Sequence, residues 1–419
     1  MGDEYEMCRF RMGNGRPDPV FSCHTSLHAV EIPIRFTRYP LFVIGTVLTG
    51  GSAMKRFQRS ILACCAGLLL FANAEPVEAQ QKLRFQSALP PSTLMFQNAK
   101  FWAERVKGLS GGRLEIEVLP AGSVVPAFEV LDAVHKKVLD GGHTASAFWA
   151  GRNRAAVLFG ASPGGPFGMD LTDYLGWIYE SGGLELYREL YQDQMKRNVV
   201  PFPMTAVPQQ PLGWFKNPVR SWDDLKGRKC RQTGLAAELF GHAGMTSVNI
   251  PPGEIIPAGD RGVIECGELV GPAEDMKVGF HTIWKHYYVT SMHEPAGILE
   301  VYFNGDVWKG LAPDLQMIVQ SAAVEAALRS QSINNRLNAE ALDEMRQKHG
   351  VKVERTPDDI LAKTLQVWDQ MAADEVAKNP FFKKVYDSQR AYAAKVVPAR
   401  RFLDLPYARG ANHYWPQPK

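Results

Sequence analysis

Runs of apolar residues with two different periods follow one another through residues 83–149. Leu83 to Ala88 reads as a strand. Leu94 to Leu109 carries an apolar stripe at helical spacing and is closed by Ser110-Gly111-Gly112. Leu114 to Leu119 alternates apolar and charged side chains, the period-two pattern of a half-buried strand. Ala127 to Leu139 predicts a second helix stopped at Gly141-Gly142, and Thr144 to Trp149 a third strand. Strand and helix alternate in βαβ rhythm, which predicts an α/β sheet.

A second block follows. Gln210 to Phe215 predicts a strand, Trp222 to Gly227 a turn with a cap, Lys229-Cys230-Arg231 a short strand and Leu235 to Ala243 a short helix. Val263 to Leu269 is apolar with Glu265 and Glu268 inserted; aromatic-rich segments follow at Phe280 to Tyr288 and Ile298 to Phe303. The longest periodic segment runs from Pro313 to Gly350, opened by Pro313-Asp314 as a first-turn pair. At about 1.5 Å per residue this rod exceeds roughly 50 Å. One small lobe cannot cover that length, so the helix is expected to brace two. Ser330 to Asn335 put polar residues in its middle, against a coiled coil. Residues 351–419 predict a strand, a helix around Ile360 to Ala377 and a tail rich in proline and aromatics.

Composition narrows the class. The chain has 419 residues, 45% hydrophobic and 22% charged, which excludes a wholly disordered or collagen-like protein. A net charge of +3 is too near neutral for a nucleic-acid footprint. The N-terminal part reads as a leader. Met54 is followed by Lys55, Arg56 and Arg59, then by an apolar run from Ile61 to Ala74 that is too short to span a bilayer. Val77-Glu78-Ala79 has the small-x-small form of a cleavage site. Residues 54–79 are therefore expected to be a secretory signal peptide, and 1–53 a mis-annotated extension ahead of the true start. Of the six cysteines, only Cys230 and Cys266 then remain; in an exported chain they could pair or stay free. No CxxC spacing points to a structural zinc.

Catalytic motifs give no lead. The dinucleotide-binding, P-loop and zinc-protease spacings are absent, and the ten histidines are scattered. The enzyme alternative is a secreted hydrolase or lyase using Glu268 or Glu294 as a general base. A third class is a sensor-partner module that reports a solute to a membrane kinase.

A set of short stretches carries more information than any single motif. In order they are Leu109-Ser110-Gly111-Gly112-Arg113-Leu114, Pro120-Ala121-Gly122, Phe148-Trp149-Ala150-Gly151, Gly213-Trp214-Phe215, Asp224-Leu225-Lys226-Gly227-Arg228-Lys229-Cys230-Arg231, Gly262-Val263-Ile264-Glu265 and Gly271-Pro272, followed by the long helix. In this order and spacing, from residue 83 to about 400, the chain resembles the periplasmic solute-binding subunits of TRAP (tripartite ATP-independent periplasmic) transporters. It is most similar to the branch that binds 2-oxo and 2-hydroxy monocarboxylates such as pyruvate or lactate together with a metal cation. The resemblance implies a two-lobed α/β periplasmic solute-binding fold with a long bracing helix. The implied organisation is lobe I over 80–205, lobe II over 206–295, a return to lobe I over 296–310, the bracing helix over 311–350 and a C-terminal segment, 351–419, packed on the lobes. It implies binding without catalysis, a periplasmic location, membrane permease subunits as partners, no nucleic acid, and a homodimer as one assembly.

The resemblance also assigns residues. The strand after D-L-x-G places Arg231 as the clamp on the solute carboxylate, for which a planar guanidinium offers two parallel donors. Gln210, Glu268 and Glu294 fall where the family holds its metal, with Leu269 contributing at most its backbone carbonyl. Oxygen ligands alone suit Na⁺ or Ca²⁺ rather than zinc. Two glutamates, one solute carboxylate and one arginine sum to two negative charges; a monovalent ion leaves one and a divalent ion none. Glu268 sits in an apolar strand, where a carboxylate costs several kcal/mol unless paired. Phe148, Trp149, Phe167 and Trp214 are candidate pocket walls. Three departures bear on the solute. Leu269 stands where the family often has Trp, Ala147 where it has a second aromatic, and Gln209-Gln210-Pro211 replaces the usual approach to G-W-F. Leu269 and Ala147 could open the pocket to larger or less polar carboxylates.

Overall fold

The computed structural model describes residues 80–160 and 165–416, so the leader and the segment before it lie outside the described residues. Eleven strands occur among the described residues. In chain order they are β1 (Gln81–Ser87), β2 (Leu114–Leu119), β3 (Gly141–Thr144), β4 (Val199–Val207), β5 (Gly213–Phe215), β6 (Lys229–Arg231), β7 (Thr246–Val248), β8 (Cys266–Gly267), β9 (His286–Tyr288), β10 (Gly297–Asn304) and β11 (Lys352–Glu354). They form two sheets. The first has the order β2-β1-β3-β10-β4 and the second β11-β9-β5-β8-β6-β7. In the first sheet β1 is parallel to β2 and β3, and β10 runs antiparallel between β3 and β4. This is a mixed α/β architecture built on two sheets. The chain crosses between the sheets after β4, again between β9 and β10, and a third time along the long helix.

The helix at Leu94–Leu109 starts where Thr93 accepts the N–H of Phe96. Its stripe of Phe96, Ala99, Trp102 and Val106 is buried, and it ends as Gly111 and Gly112 take φ of 61° and 83°. The first sheet's core gathers Phe85, Trp102, Phe303 and Val319. A separate core under the second sheet gathers Trp214, Phe280, Trp284 and Tyr287, and includes Met345.

The long helix spans Pro313–Lys348. Its first half lies on β4 and on helix Leu94–Leu109, with Trp102 donating to the Val319 carbonyl at 3.3 Å. Its second half meets helix Pro272–Val278, where Asn338 accepts the N–H of Ala273 at 3.0 Å. The polar middle has a purpose. Ser330 Oγ accepts the N–H of Ala206 at 2.8 Å and Asn334 donates to the Ala206 carbonyl at 3.4 Å, so the helix holds the end of β4 just before the chain crosses over.

Three expectations need correction. Gly141 and Gly142 do not stop a helix; they open β3. A Cβ at Gly141 would lie 2.0 Å from the Phe85 ring and one at Gly142 2.7 Å from Val130, so close packing, not chain reversal, demands glycine. Ser146–Trp149, expected as strand, is a 3-10 turn beyond β3. The proline- and aromatic-rich tail is mostly helix: Pro380–Leu403 begins at Asn379, whose side chain accepts the N–H groups of Phe381 and Phe382, and both rings are buried.

Candidate functional site

A cavity lies where the two sheets face each other, and its polar lining is Gln210, Arg231, Thr233 and Glu294. Arg231 ends β6, whose neighbour β8 is bonded to it covalently: Cys230 and Cys266 face each other in register and form a disulfide, with Cα atoms 4.5 Å apart. The pairing that the sequence left open is therefore made. Close approach of strands shapes the same spot. Gly213 takes φ of 127°, and a Cβ there would lie 2.6 Å from the Gly267 carbonyl oxygen.

Arg231 is only 2% exposed. Its Nη1 donates to the backbone carbonyl of Glu268 at 2.7 Å and to the Glu268 carboxylate at 2.8 Å, and its Nε reaches the Ile250 carbonyl at 3.4 Å. Nη2 has no protein acceptor among the described residues. Glu268 is equally buried, and burial pushes its carboxyl well above the usual range, with Arg231 opposing the shift. Glu294 is raised in the same way, first by burial and then by the charge of Glu268.

Gln210 and Glu294 come from the two crossovers between the sheets, and they tie those crossovers together. The Gln210 N–H donates to the Glu294 carbonyl at 3.0 Å, and its side-chain Nε2 donates to the Glu294 carboxylate. Gln210 Oε1 is left buried without a hydrogen-bond partner. A buried, unpaired oxygen beside a carboxylate is the kind of atom a hard cation satisfies. The residues present thus fit an oxygen-coordinated cation. Among the described residues no group of three or more His, Cys, Asp or Glu is placed to hold a metal ion, so any such ion needs the amide and backbone oxygens too.

The other sequence candidates divide. Phe148 and Leu269 line the cavity. Trp149 and Trp214 do not. Trp214 is fully buried in the second core, stacked 4.3 Å from Tyr287 with its Nε1 donating to Asp275 at 2.8 Å. Trp149 lies buried behind Phe148, edge-on at 6.3 Å. Trp149 and Trp214 are thus packed in the cores, because the turn and strand positions that carry them face the packed layers. Phe167 packs against Tyr386 at 4.7 Å, away from the cavity. Glu268 touches the site through Arg231 rather than as lining.

Thr233 was not singled out by sequence reading. The signal was available: it lies two residues beyond Arg231, the spacing that returns a side chain to the same face. It precedes helix Gly234–Gly241 without capping it through its side chain. The spelling G-x-S-x-G occurs at Gly108–Gly112 and Gly160–Gly164. Each follows a helix rather than a strand, so neither has the setting of a nucleophile elbow.

Fold and cavity together define a solute receptor, and comparison gives its family. The profile of bacterial extracellular solute-binding protein family 7 (DctP) matches residues 85–379, and the chain belongs to that family. A curated relative, the monocarboxylate 2-oxoacid-binding periplasmic protein of Nostoc, is 32% identical over 329 residues, covering 78% of this chain and 88% of its own. A TRAP solute-binding protein from Pseudoalteromonas atlantica, solved with sodium and pyruvate, is 30% identical with a TM-score of 0.73, covering 79% of this chain and 99% of its own. One from Colwellia psychrerythraea, solved with calcium and pyruvate, is 29% identical with the same TM-score of 0.73, again covering 79% and 99%. One from Bordetella bronchiseptica, a mixed-occupancy dimer with calcium and picolinate, is 27% identical with a TM-score of 0.74, covering 80% and 97%. The chain is a solute-binding receptor of the TRAP type, and these relatives are named for binding, not catalysis.

Proposed function

We propose that this receptor binds a small 2-oxo or 2-hydroxy monocarboxylate, pyruvate or lactate being the simplest, together with Na⁺ or Ca²⁺, and delivers it in the periplasm to the membrane permease of a TRAP transporter. The observation that carries this reading is the pairing of one uncommitted guanidinium nitrogen, Nη2 of Arg231, with one orphaned buried oxygen, on Gln210, in a single cavity. Arg231 receives the solute carboxylate. Gln210, Glu268, Glu294 and the Leu269 carbonyl hold the cation, and Phe148 flanks the solute. A cation also offsets the raised carboxyls of Glu268 and Glu294, returning them to the charged form.

The two sheets serve as two lobes, 80–205 with 296–310 around the first and 206–295 around the second. Helix 311–350 braces them and 351–419 packs on both. Solute and cation enter between the lobes, and contacts from both sides favour the closed form; a ligand bound equally in both states would shift nothing. The crossovers at Gln210 and Glu294 are the hinges. Export follows from the leader at 54–79. The C-terminal helices expose Phe402, Leu403, Leu405, Tyr407, Tyr414 and Trp415, which suits a homodimer.

Calorimetric titration with pyruvate tests the reading, on protein stripped of solute by unfolding and refolding, with and without Na⁺ and Ca²⁺. Cation-dependent micromolar binding is the expected result. Heat of turnover in place of saturable binding would return Glu268 and Glu294 to the role of bases.

A further inference from the structure

A second cavity, of about 230 Å³, shares Met95 with the first. Three helices wall it. The helix at Leu94–Leu109 brings Leu94, Met95 and Asn98, the helix at Pro272–Val278 brings Glu274, and the middle of the long helix brings Arg329, Ile333 and Leu337. Most of its neutral polar groups are spent within the protein. Asn98 donates to Thr205 and to the Ala326 carbonyl, both at 3.1 Å, while Ser330 and Asn334 hold Ala206. Two charged side chains are not spent. Arg329 stacks on Phe101, its Cζ 4.2 Å from the ring centre, and its Nη1 donates to Asn98 Oδ1 at 3.2 Å; Nε and Nη2 meet no acceptor among the described residues. The buried Glu274 carboxylate accepts the N–H groups of Leu94 and Met95, one on each oxygen, so each oxygen keeps a further lone pair.

These opposite charges are held one helical turn apart. Glu274 is bonded at Leu94 and Arg329 at Asn98, four residues along the same helix, a rise of about 6 Å. Neither makes an ion pair among the described residues. A lone anion on Arg329 would face the Glu274 carboxylate, and a lone cation on Glu274 would face the guanidinium. A molecule carrying both charges on neighbouring atoms meets neither repulsion, and Leu94, Ile333 and Leu337 give it an apolar flank. Since a cavity of about 150 Å³ takes benzene, about 230 Å³ suits roughly nine non-hydrogen atoms.

We infer that the receptor carries a second solute site, between these three helices, that takes a small zwitterionic α-amino acid with an apolar side chain, its carboxylate on Arg329 and its ammonium on Glu274. The site spans the two halves of the molecule, because Glu274 follows β8 of the second sheet while the helix at Leu94–Leu109 packs on the first. Occupancy adds to the contact that Glu274 already makes between them. Through that contact and the shared Met95, a bound amino acid raises affinity at the first cavity, and the solute there raises affinity for the amino acid by the same factor.

The test is calorimetric titration of the full chain, stripped of solute, with glycine, alanine and leucine, in the absence and presence of saturating pyruvate and Ca²⁺. Saturable binding is expected, tightening from glycine to leucine and undiminished by pyruvate. Propionate and isopropylamine, which carry one charge each, are expected to bind at least about ten-fold more weakly than alanine. Pyruvate affinity is expected to rise about five-fold or more in saturating leucine. Arg329→Gln is expected to abolish the amino-acid heat and Arg329→Lys to keep part of it, both retaining a cooperative thermal transition and wild-type affinity for pyruvate alone. No saturable heat from any of the three amino acids overturns the inference. So does heat that pyruvate competes away or that survives Arg329→Gln unchanged, which would place the amino acid in the first cavity. Amino-acid binding that leaves pyruvate affinity unchanged overturns the coupling. Failure of pyruvate itself to bind overturns the carboxylate reading of the first cavity and leaves the amino-acid heats, and their loss in Arg329→Gln, to decide the second.

Discussion

The carboxylate of Glu274 accepts the backbone N–H of Met95 at 2.7 Å, and that of Leu94 at 2.8 Å. Glu274 stands on the helix that follows β8, whereas Met95 opens a helix packed on the first sheet, so one buried side chain joins the two halves. The arrangement satisfies two of the N–H groups that a helix start leaves unpaired, and those N–H groups oppose the rise to about 7 that burial imposes on the Glu274 carboxyl. Because Met95 also lines the cavity, the junction and the solute share a residue. Glu274→Ala should weaken solute affinity by about 1–3 kcal/mol while sparing the second sheet, and Glu274→Gln should lose less. Titration calorimetry alongside circular dichroism would separate the two effects; unchanged affinity in the alanine variant would show that the junction does not favour the closed form.

Arg231 is the residue whose loss should be felt most. Arg231→Ala removes the partner of Glu268 as well as the proposed clamp, leaving a buried carboxylate alone. Binding should fall by about 2–5 kcal/mol. Arg231→Lys restores the charge but not the fork, so it should recover only part of the loss. Equal affinities for wild type and both variants would place the solute elsewhere.

The disulfide between Cys230 and Cys266 closes a loop of sequence separation 36 and pins the two strands that present Arg231 and Glu268. Reduction, or the double Cys→Ser variant, should cost about 2–4 kcal/mol of stability. The loss should appear as a lower Tm, together with weaker binding, because the two strands then move more independently. A Tm insensitive to reductant in the folded, fully reduced protein would contradict this.

His143 and Glu300 set opposing pH slopes from adjacent strands. His143, on β3, is fully buried, and burial pushes its pKa down to about 3. Protons then bind the unfolded chain first, so its contribution to stability is lost as pH falls from about 6.5 toward 3. Glu300 on β10 accepts from Thr144, Tyr187 and Tyr191, yet burial raises its pKa to about 7. Its folded form keeps a proton that the unfolded form has released, so its contribution is lost as pH rises from about 4.5 through 7. Between about pH 4.5 and 6.5 the two largely cancel. Glu300→Gln removes one slope, so the variant should gain on wild type by about 3 kcal/mol over that rise. Chemical denaturation at several pH values measures the difference, and a pH-independent gap would show that Glu300 does not titrate in this range.

Much of this architecture is legible in local pattern. The helix at Leu94–Leu109 and the strand at Leu114–Leu119 appear with the bounds their periodicity predicts, because stripe, cap and glycine stop all agree over a short stretch. The long helix is legible for the same reason. Gly141-Gly142 was misread because glycine signals a helix stop and a tight packing point alike, and only the Phe85 ring above the strand distinguishes them. Trp149 and Trp214 lie in the packed layers rather than on the cavity wall, because an aromatic in a turn or a short strand has two sides to choose from and the layers on either side make the choice.

The sequence by itself determined the alternation of strand and helix, the rod at Pro313–Lys348 and the family through the order of its short motifs. Those are properties of neighbours along the chain, where spacing is fixed by covalent geometry. Tertiary structure decided what depends on residues far apart. It joined Cys230 to Cys266, brought Gln210 against Glu294, left Nη2 of Arg231 without a protein partner, and lined one cavity with residues from both sheets and their crossovers. Sheet order and the crossovers set those juxtapositions, and neither is written in the period of any single segment.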